Sequence, residues 1–274
     1  MKLYNNDIPT WMKLVAFILI FIGMQLISGV VALSVMSLGA DMLAVQAVSS
    51  LIGFGFSAYL YFLFFQRKGS LKKMFCTCFD YKWIICAVVL EICAMPAVSC
   101  LTVESDYGDM IYSLVSNTSL LGLAELIFCF AVLPAIFEEL VFRGVLQKLF
   151  IGMTKRIWLG VILSSAVFSL FHMDMPNFFA RFVLGLVLGL LYQYGGNIWI
   201  NISFHFVNNL FATIQLWMLR KGMTDTSEED FPLYLTVLSV LILVGFVVYN
   251  EMKNPKSLRK NYIKQTETDK DNCN

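Results

Sequence analysis

The chain has 274 residues, of which 58% are hydrophobic and only 14% charged, with a net charge of +1. Soluble domains carry nearer a quarter charged residues, so a chain of this length lacks the polar surface to cover itself in water and is an integral membrane protein, with the lipid bilayer as its first partner. The near-neutral total says nothing about nucleic acid, and no basic block outside the membrane flanks suggests it, so no nucleic-acid partner is expected.

A membrane-spanning helix needs about 20 apolar residues. Eight candidate spans follow in chain order, at 11–38, 42–65, 83–103, 120–149, 157–172, 178–194, 198–219 and 231–249. The fold class is therefore all-α, a polytopic transmembrane bundle. The first span is too long for a signal-peptide core and reads as a retained anchor. The fourth contains Pro134, which removes a backbone donor and invites a kink one turn before Glu138. The connection Met173-Asp174-Met175-Pro176-Asn177 is very short and joins the two shortest spans, as a re-entrant turn would. Gly185 and Gly189 form a Gly-x-x-x-Gly pair that lets helices approach closely. The polar residues after 252 form a tail too hydrophilic to pack.

Loop charge gives the orientation, because Lys and Arg accumulate on the cytoplasmic side. Of the 20 Lys and Arg residues, all but Arg143, Arg181, Arg220 and Lys221 fall in segments that alternate as eight spans require. Both termini are then cytoplasmic. Arg220 and Lys221 lie on an outer connection, offset by Asp225, Glu228, Glu229 and Asp230. Organisation follows as N-terminal helices in 1–117, a core in 118–220, an outer loop and last helix in 221–252, and a cytoplasmic tail in 253–274.

The fourth span holds Glu138, Glu139 and Arg143, which cost roughly 2.5–3.5 kcal/mol each in a bilayer centre on insertion scales. Residues four apart share a helix face, so Glu139 pairs with Arg143. Glu138 is left about 100° round the helix without that partner, which suits it to general-base work. The two histidines of the chain, His172 and His205, both fall in spans, and Asn209 shares a face with His205. Together they point to one polar site. Counting about 1.5 Å per residue from the cytoplasmic ends puts Glu138 and His205 roughly 10–15 Å deep but His172 beyond about 20 Å. Glu91 and Glu125 have no evident partner, and Arg181 either caps carbonyls or meets a substrate carboxylate. The seven cysteines read as packing residues or solvated thiols; Cys76-Thr77-Cys78 has no histidine nearby to make a metal site.

Glu138-Glu139-x-x-x-Arg143, Phe168-x-x-x-His172 and His205-x-x-x-Asn209 occur in this order and resemble the three signature motifs of the CPBP intramembrane proteases. That group includes type II CAAX prenyl proteases and bacterial proteins linked to bacteriocin processing and self-immunity. The resemblance covers roughly 118–215. It implies a helical core around a polar, water-filled cavity in a bacterial cell membrane, open to the cytoplasm, where a peptide bond of a membrane-associated peptide or protein is hydrolysed. Carried over by position, Glu138 activates water with His172, while His205 and Asn209 hold a metal or stabilise the oxyanion, and Glu139 and Arg143 support them. The resemblance leaves open a zinc ion bound by His172 and His205 or a metal-free glutamate mechanism. Two other classes compete: a non-enzymatic immunity or regulatory protein that keeps the motif for structure, and a proton or ion transporter, against which stands the lack of a repeat relating two halves of the chain.

Overall fold

The computed structural model describes residues 8–66, 69–76, 81–105, 112, 118–223 and 231–253. The tail after 253, the acidic stretch 225–230 and Cys78 lie outside the described residues. Among the described residues all regular structure is helical. Eight long helical stretches follow the eight expected segments in order: α1 (Thr10–Ser37), α2 (Met42–Phe65), α4 (Tyr81–Ser99), α5 (Leu120–Thr154), α6 (Ile157–Phe171), α7 (Phe178–Gly195), α8 (Ile198–Arg220) and α9 (Leu233–Lys253). The short helix α3 (Ser70–Phe75) lies between α2 and α4. Six of them are long and apolar enough to cross a membrane. The exceptions are α6, which has only 15 residues, and α8, whose face carries Asn201, His205, Asn208 and Asn209.

The helix starts are written in the sequence. Asp41, Ser119 and Asn197 precede α2, α5 and α8, and their side chains accept hydrogen bonds from the amides of Ala44, Gly122 and Trp199. Such caps satisfy amides that the first turn leaves without partners. α4 stops four residues before the expected end because Val103 is held extended by a side chain of another connection. Its N–H donates to Asn177 Oδ1 at 2.7 Å, and its carbonyl accepts from Asn177 Nδ2 at 2.9 Å.

α5 is the central helix. It packs against α1, α2, α6 and α8, and an apolar cluster runs from Phe17 and Tyr61 through Phe142 and Phe168 to Leu188 and Phe204. The N-terminal helices thus share one core with the segment that carries the motifs. α5 is not uniformly wound: Ile127–Val132 and Leu140–Leu146 are π-helical. Wider winding just ahead of Pro134 shifts the hydrogen-bond register, which lets the helix pass the proline without breaking.

α6 and α7 pack closely, and the Gly-x-x-x-Gly pair explains how. A Cβ on Gly185 would meet Ser165 Cβ at 3.0 Å, and one on Gly189 would meet Val161 Cγ1 at 2.7 Å. The bare backbone has a second use. Arg143 Nη2 donates to the Gly185 carbonyl at 3.1 Å and Gln147 Nε2 to the Gly189 carbonyl at 3.0 Å. Residues four apart on α5 therefore meet carbonyls four apart on α7, and this ladder sets the rotation of α5. Overpacking typically costs about 1–3 kcal/mol. We expect Gly189→Leu to lower the thermal midpoint in detergent, whereas Gly245→Leu, which meets nothing within 4 Å, leaves it unchanged. Equal midpoints for the two variants would contradict this packing.

Candidate active site

Glu139 lies in α5 just before its second π-helical section and is fully buried. Its Oε1 accepts from Arg143 Nη1 at 2.7 Å and from His205 Nδ1 at 2.9 Å. The pair with Arg143 is the one the i,i+4 spacing gives. A carboxylate paired with a guanidinium accepts, so His205 Nδ1 carries the hydrogen. In the neutral ring Nε2 then presents a lone pair, 3.9 Å from Glu138 Oε2.

Glu138 keeps 14% of its side chain exposed, unlike Glu139. Its Oε2 has no hydrogen-bond partner among the described residues. It lines a cavity of about 480 Å³ together with His172, His205 and Asn209. His172 terminates α6, and its Nδ1 lies 2.9 Å from the Phe168 carbonyl. A carbonyl only accepts, so this nitrogen is the donor and Nε2 is left as an acceptor. Asn208 Nδ2 donates to Asn209 Oδ1 at 3.0 Å. That bond uses the Asn209 oxygen and leaves its amide nitrogen available to donate.

Phe168 is the hub between these groups. Its ring lies 4.8 Å from the His172 ring and 5.8 Å from the His205 ring, with the Arg143 guanidinium carbon 4.9 Å from its centroid. Both imidazoles meet the ring edge to face, which fixes their planes.

The depth mismatch expected for His172 disappears for two reasons. α6 is only about four turns long and ends at Phe171. α5, at 35 residues, would stretch about 50 Å if straight and exceeds the membrane, so residue counts from its ends misjudge depth. The chain leaves α6 through Met173 at φ 54°, a left-handed conformation that turns it sharply away. The short connection is then clipped in place. Asp174 Oδ2 accepts from Arg181 Nη2 at 2.7 Å, from Asn177 Nδ2 at 3.0 Å and from Ser105 Oγ at 3.2 Å. Burial alone would raise the Asp174 carboxyl, but hydrogen bonds from Asn177 and Arg181, the Arg181 charge and the Ser105 hydroxyl outweigh it and hold the group below the usual carboxylate range.

Arg181 also donates to the Asp174 carbonyl at 3.4 Å, so it caps the turn as one sequence reading has it. Glu91 is buried and Glu125 exposed, and neither lines the cavity. Sequence reasoning missed Asn208, Gln147 and the Asp174–Asn177 clip. Gln147 had a readable signal, one turn beyond Arg143 on the same face; the other two had none.

The cavity lies between the ends of α4 and α6, the start of α7, the middle of α5 and the middle and end of α8.

An open zinc site usually takes three protein ligands and a water. His172 and His205 each turn Nδ1 to a protein acceptor and keep Nε2 free, as metal-bound histidines do. Among the described residues, however, no three His, Cys, Asp or Glu side chains are gathered to hold a metal ion. The donor set therefore does not fit a three-ligand zinc centre.

Residues 120–211 match the model of a protein family described as type II CAAX prenyl endopeptidase Rce1-like. No curated protein matches the chain, and no solved structure does. The matched stretch runs from the start of α5 well into α8 and contains all three motifs, so over 120–211 the chain is similar to the Rce1-like type II CAAX prenyl endopeptidases.

Proposed function

We propose that the chain is an intramembrane endopeptidase that hydrolyses a peptide bond of a membrane-associated peptide or protein by a glutamate mechanism. The observation that carries this is the contrast between two neighbouring carboxylates. Glu139 is fully buried, with Oε1 accepting from both Arg143 and His205, while Glu138 keeps 14% of its side chain exposed and lines the cavity.

A water bound beside Glu138 loses one proton to the carboxylate as its oxygen adds to the peptide carbonyl carbon. The His172 Nε2 lone pair accepts the water's second hydrogen and aims the attack. Negative charge gathers on the carbonyl oxygen, where the Asn209 amide nitrogen donates to it. In the tautomer that donates from Nδ1 to Glu139, His205 is a poor candidate for that role, because its other ring nitrogen then bears a lone pair. It instead receives a hydrogen bond from the Glu138 carboxylic acid once that group is protonated. Glu138 then passes its proton to the amine leaving group as the carbon–nitrogen bond breaks, and the second product is a carboxylic acid, whose remaining proton passes to the freed amine to leave a carboxylate and an ammonium.

The substrate class fits a mostly apolar cavity at membrane depth. A prenylated peptide is what the family description names; for this chain, a membrane-associated peptide with or without that group is the broader assignment. The test is cleavage of a panel of membrane-bound peptides by the purified protein in liposomes, with and without prolonged chelation. Turnover that survives chelation in protein shown by elemental analysis to be metal-free is the expected result. Turnover that stops on chelation and returns with zinc would overturn the glutamate mechanism.

A further inference from the structure

The cavity draws its walls from one end of the bundle. Gln46 comes from the start of α2, Thr102 and Glu104 from just past α4, Glu138 from the middle of α5, Asp174 from the α6–α7 connection and Leu216 from the end of α8. Glu138 is the deepest of these along the chain. The others sit within about two turns of the same end.

Three of the four connections at that end, 38–41, 100–119 and 172–177, contain no Lys or Arg but contain Asp41, Glu104, Asp106, Asp109 and Asp174, and the fourth, after α8, sets Arg220 and Lys221 against Asp225, Glu228, Glu229 and Asp230. The opposite end carries Arg67, Lys68, Lys72, Lys73 and Lys82 around α3, Lys155 and Arg156 between α5 and α6, and the Lys-rich segment after α9. Short basic connections are retained on the cytoplasmic side. The two observations are independent, since one is the packing of side chains around a void and the other is loop composition. Together they orient the cavity.

We infer that the cavity opens on the non-cytoplasmic face of the membrane, and that its substrate is an exported, membrane-held peptide whose scissile bond lies on that side. The orientation stands on geometry and charge alone; the substrate class rests also on the endopeptidase reading. The mouth suits such a peptide. Its lining is mostly apolar, which suits a membrane-held segment, with Glu104 and the Asp174–Arg181 pair among the polar lining residues. A tail kept in the cytoplasm would meet the basic end of the bundle instead.

Two native cysteines report the orientation without any substitution. Cys100 is exposed one residue past α4 at the cavity end, and Cys76 is exposed one residue past α3 at the basic end. Intact cells are treated with a membrane-impermeant maleimide, and the labelled peptides are mapped by mass spectrometry, with permeabilised cells as the reference. The expected result is label on Cys100 in intact cells and on Cys76 only after permeabilisation. Any other pattern, label on Cys76 from outside included, overturns the orientation. A Glu104→Cys variant beside Lys72→Cys repeats the measurement at a second pair of sites.

The substrate half is tested with one apolar reporter segment carrying the same flanking sequence on either the outer or the cytoplasmic side. Cleavage of the outward-flanked reporter supports it, and cleavage confined to the inward-flanked one overturns it. If the maleimide result holds and neither reporter is cut while peptides in liposomes are not cut either, the endopeptidase reading fails and the orientation does not.

Discussion

Glu138→Gln abolishes detectable peptide cleavage while leaving the folded protein in the membrane with an unchanged thermal midpoint. The substitution keeps the shape of the side chain and removes only its ability to take a proton from water. Loss of a positioned base typically costs about 10²–10⁴-fold in rate, and here no second carboxylate stands ready. Glu139 is fully buried and already receives Arg143 and His205 on one oxygen. Stability is spared because the structure gives Glu138 Oε2 no partner to lose, His205 Nε2 standing 3.9 Å away, beyond hydrogen-bond distance. Initial rates from the liposome assay, set beside melting curves of both proteins in detergent, give the comparison. Wild-type turnover by the Glu138→Gln protein would remove Glu138 from the chemistry altogether. Loss of folding along with activity would show that the side chain is structural.

The motif residues were legible because each signal was local. Glu139 and Arg143 are four apart on one helix, and that spacing places their contact without knowledge of any other element. Membrane insertion made the signal stand out, since intramembrane charges are rare enough to demand a purpose. The bond from His205 to Glu139 was not legible. It joins residues 66 apart and depends on how α8 is rotated against α5. That rotation is set through α7, which holds α5 by the Arg143 and Gln147 bonds to the Gly185 and Gly189 carbonyls and α8 by the Asn201 bond to the Leu188 carbonyl, and by π-helical sections that a uniform period of 3.6 residues does not anticipate. The clip around Asp174 was hidden for a related reason. Asn177 uses its amide to complete the backbone of Val103, 74 residues away, and nothing in either short segment names the other. The side of the membrane on which the cavity opens was half legible. Loop charge oriented the helices, but which end of the bundle held the void required the packing of six helices at once.

Arg143→Met destabilises the protein by about 3–5 kcal/mol, the usual cost of removing one member of a buried ion pair. The reason is what the substitution leaves behind. Glu139 has no exposed surface, so its charge can reach neither water nor another guanidinium. The Gly185 carbonyl loses a donor as well. His205 is then the one donor left to Glu139 Oε1, and its ring is no longer held against a fixed carboxylate. Adding Glu139→Gln to Arg143→Met recovers most of the loss, because a neutral amide oxygen still accepts from His205 Nδ1 and no unpaired charge stays buried. The measurement is a double-mutant cycle on thermal or denaturant midpoints in detergent, in which the coupling between the two positions should be large and favourable in the wild type. An Arg143→Met protein as stable as the wild type would mean that Glu139 is held neutral and that the pair carries no charge. The same cycle read in activity separates support from chemistry. The double variant, with its fold restored and Glu138 untouched, should regain more turnover than Arg143→Met alone, whereas Glu138→Gln has no compensating partner.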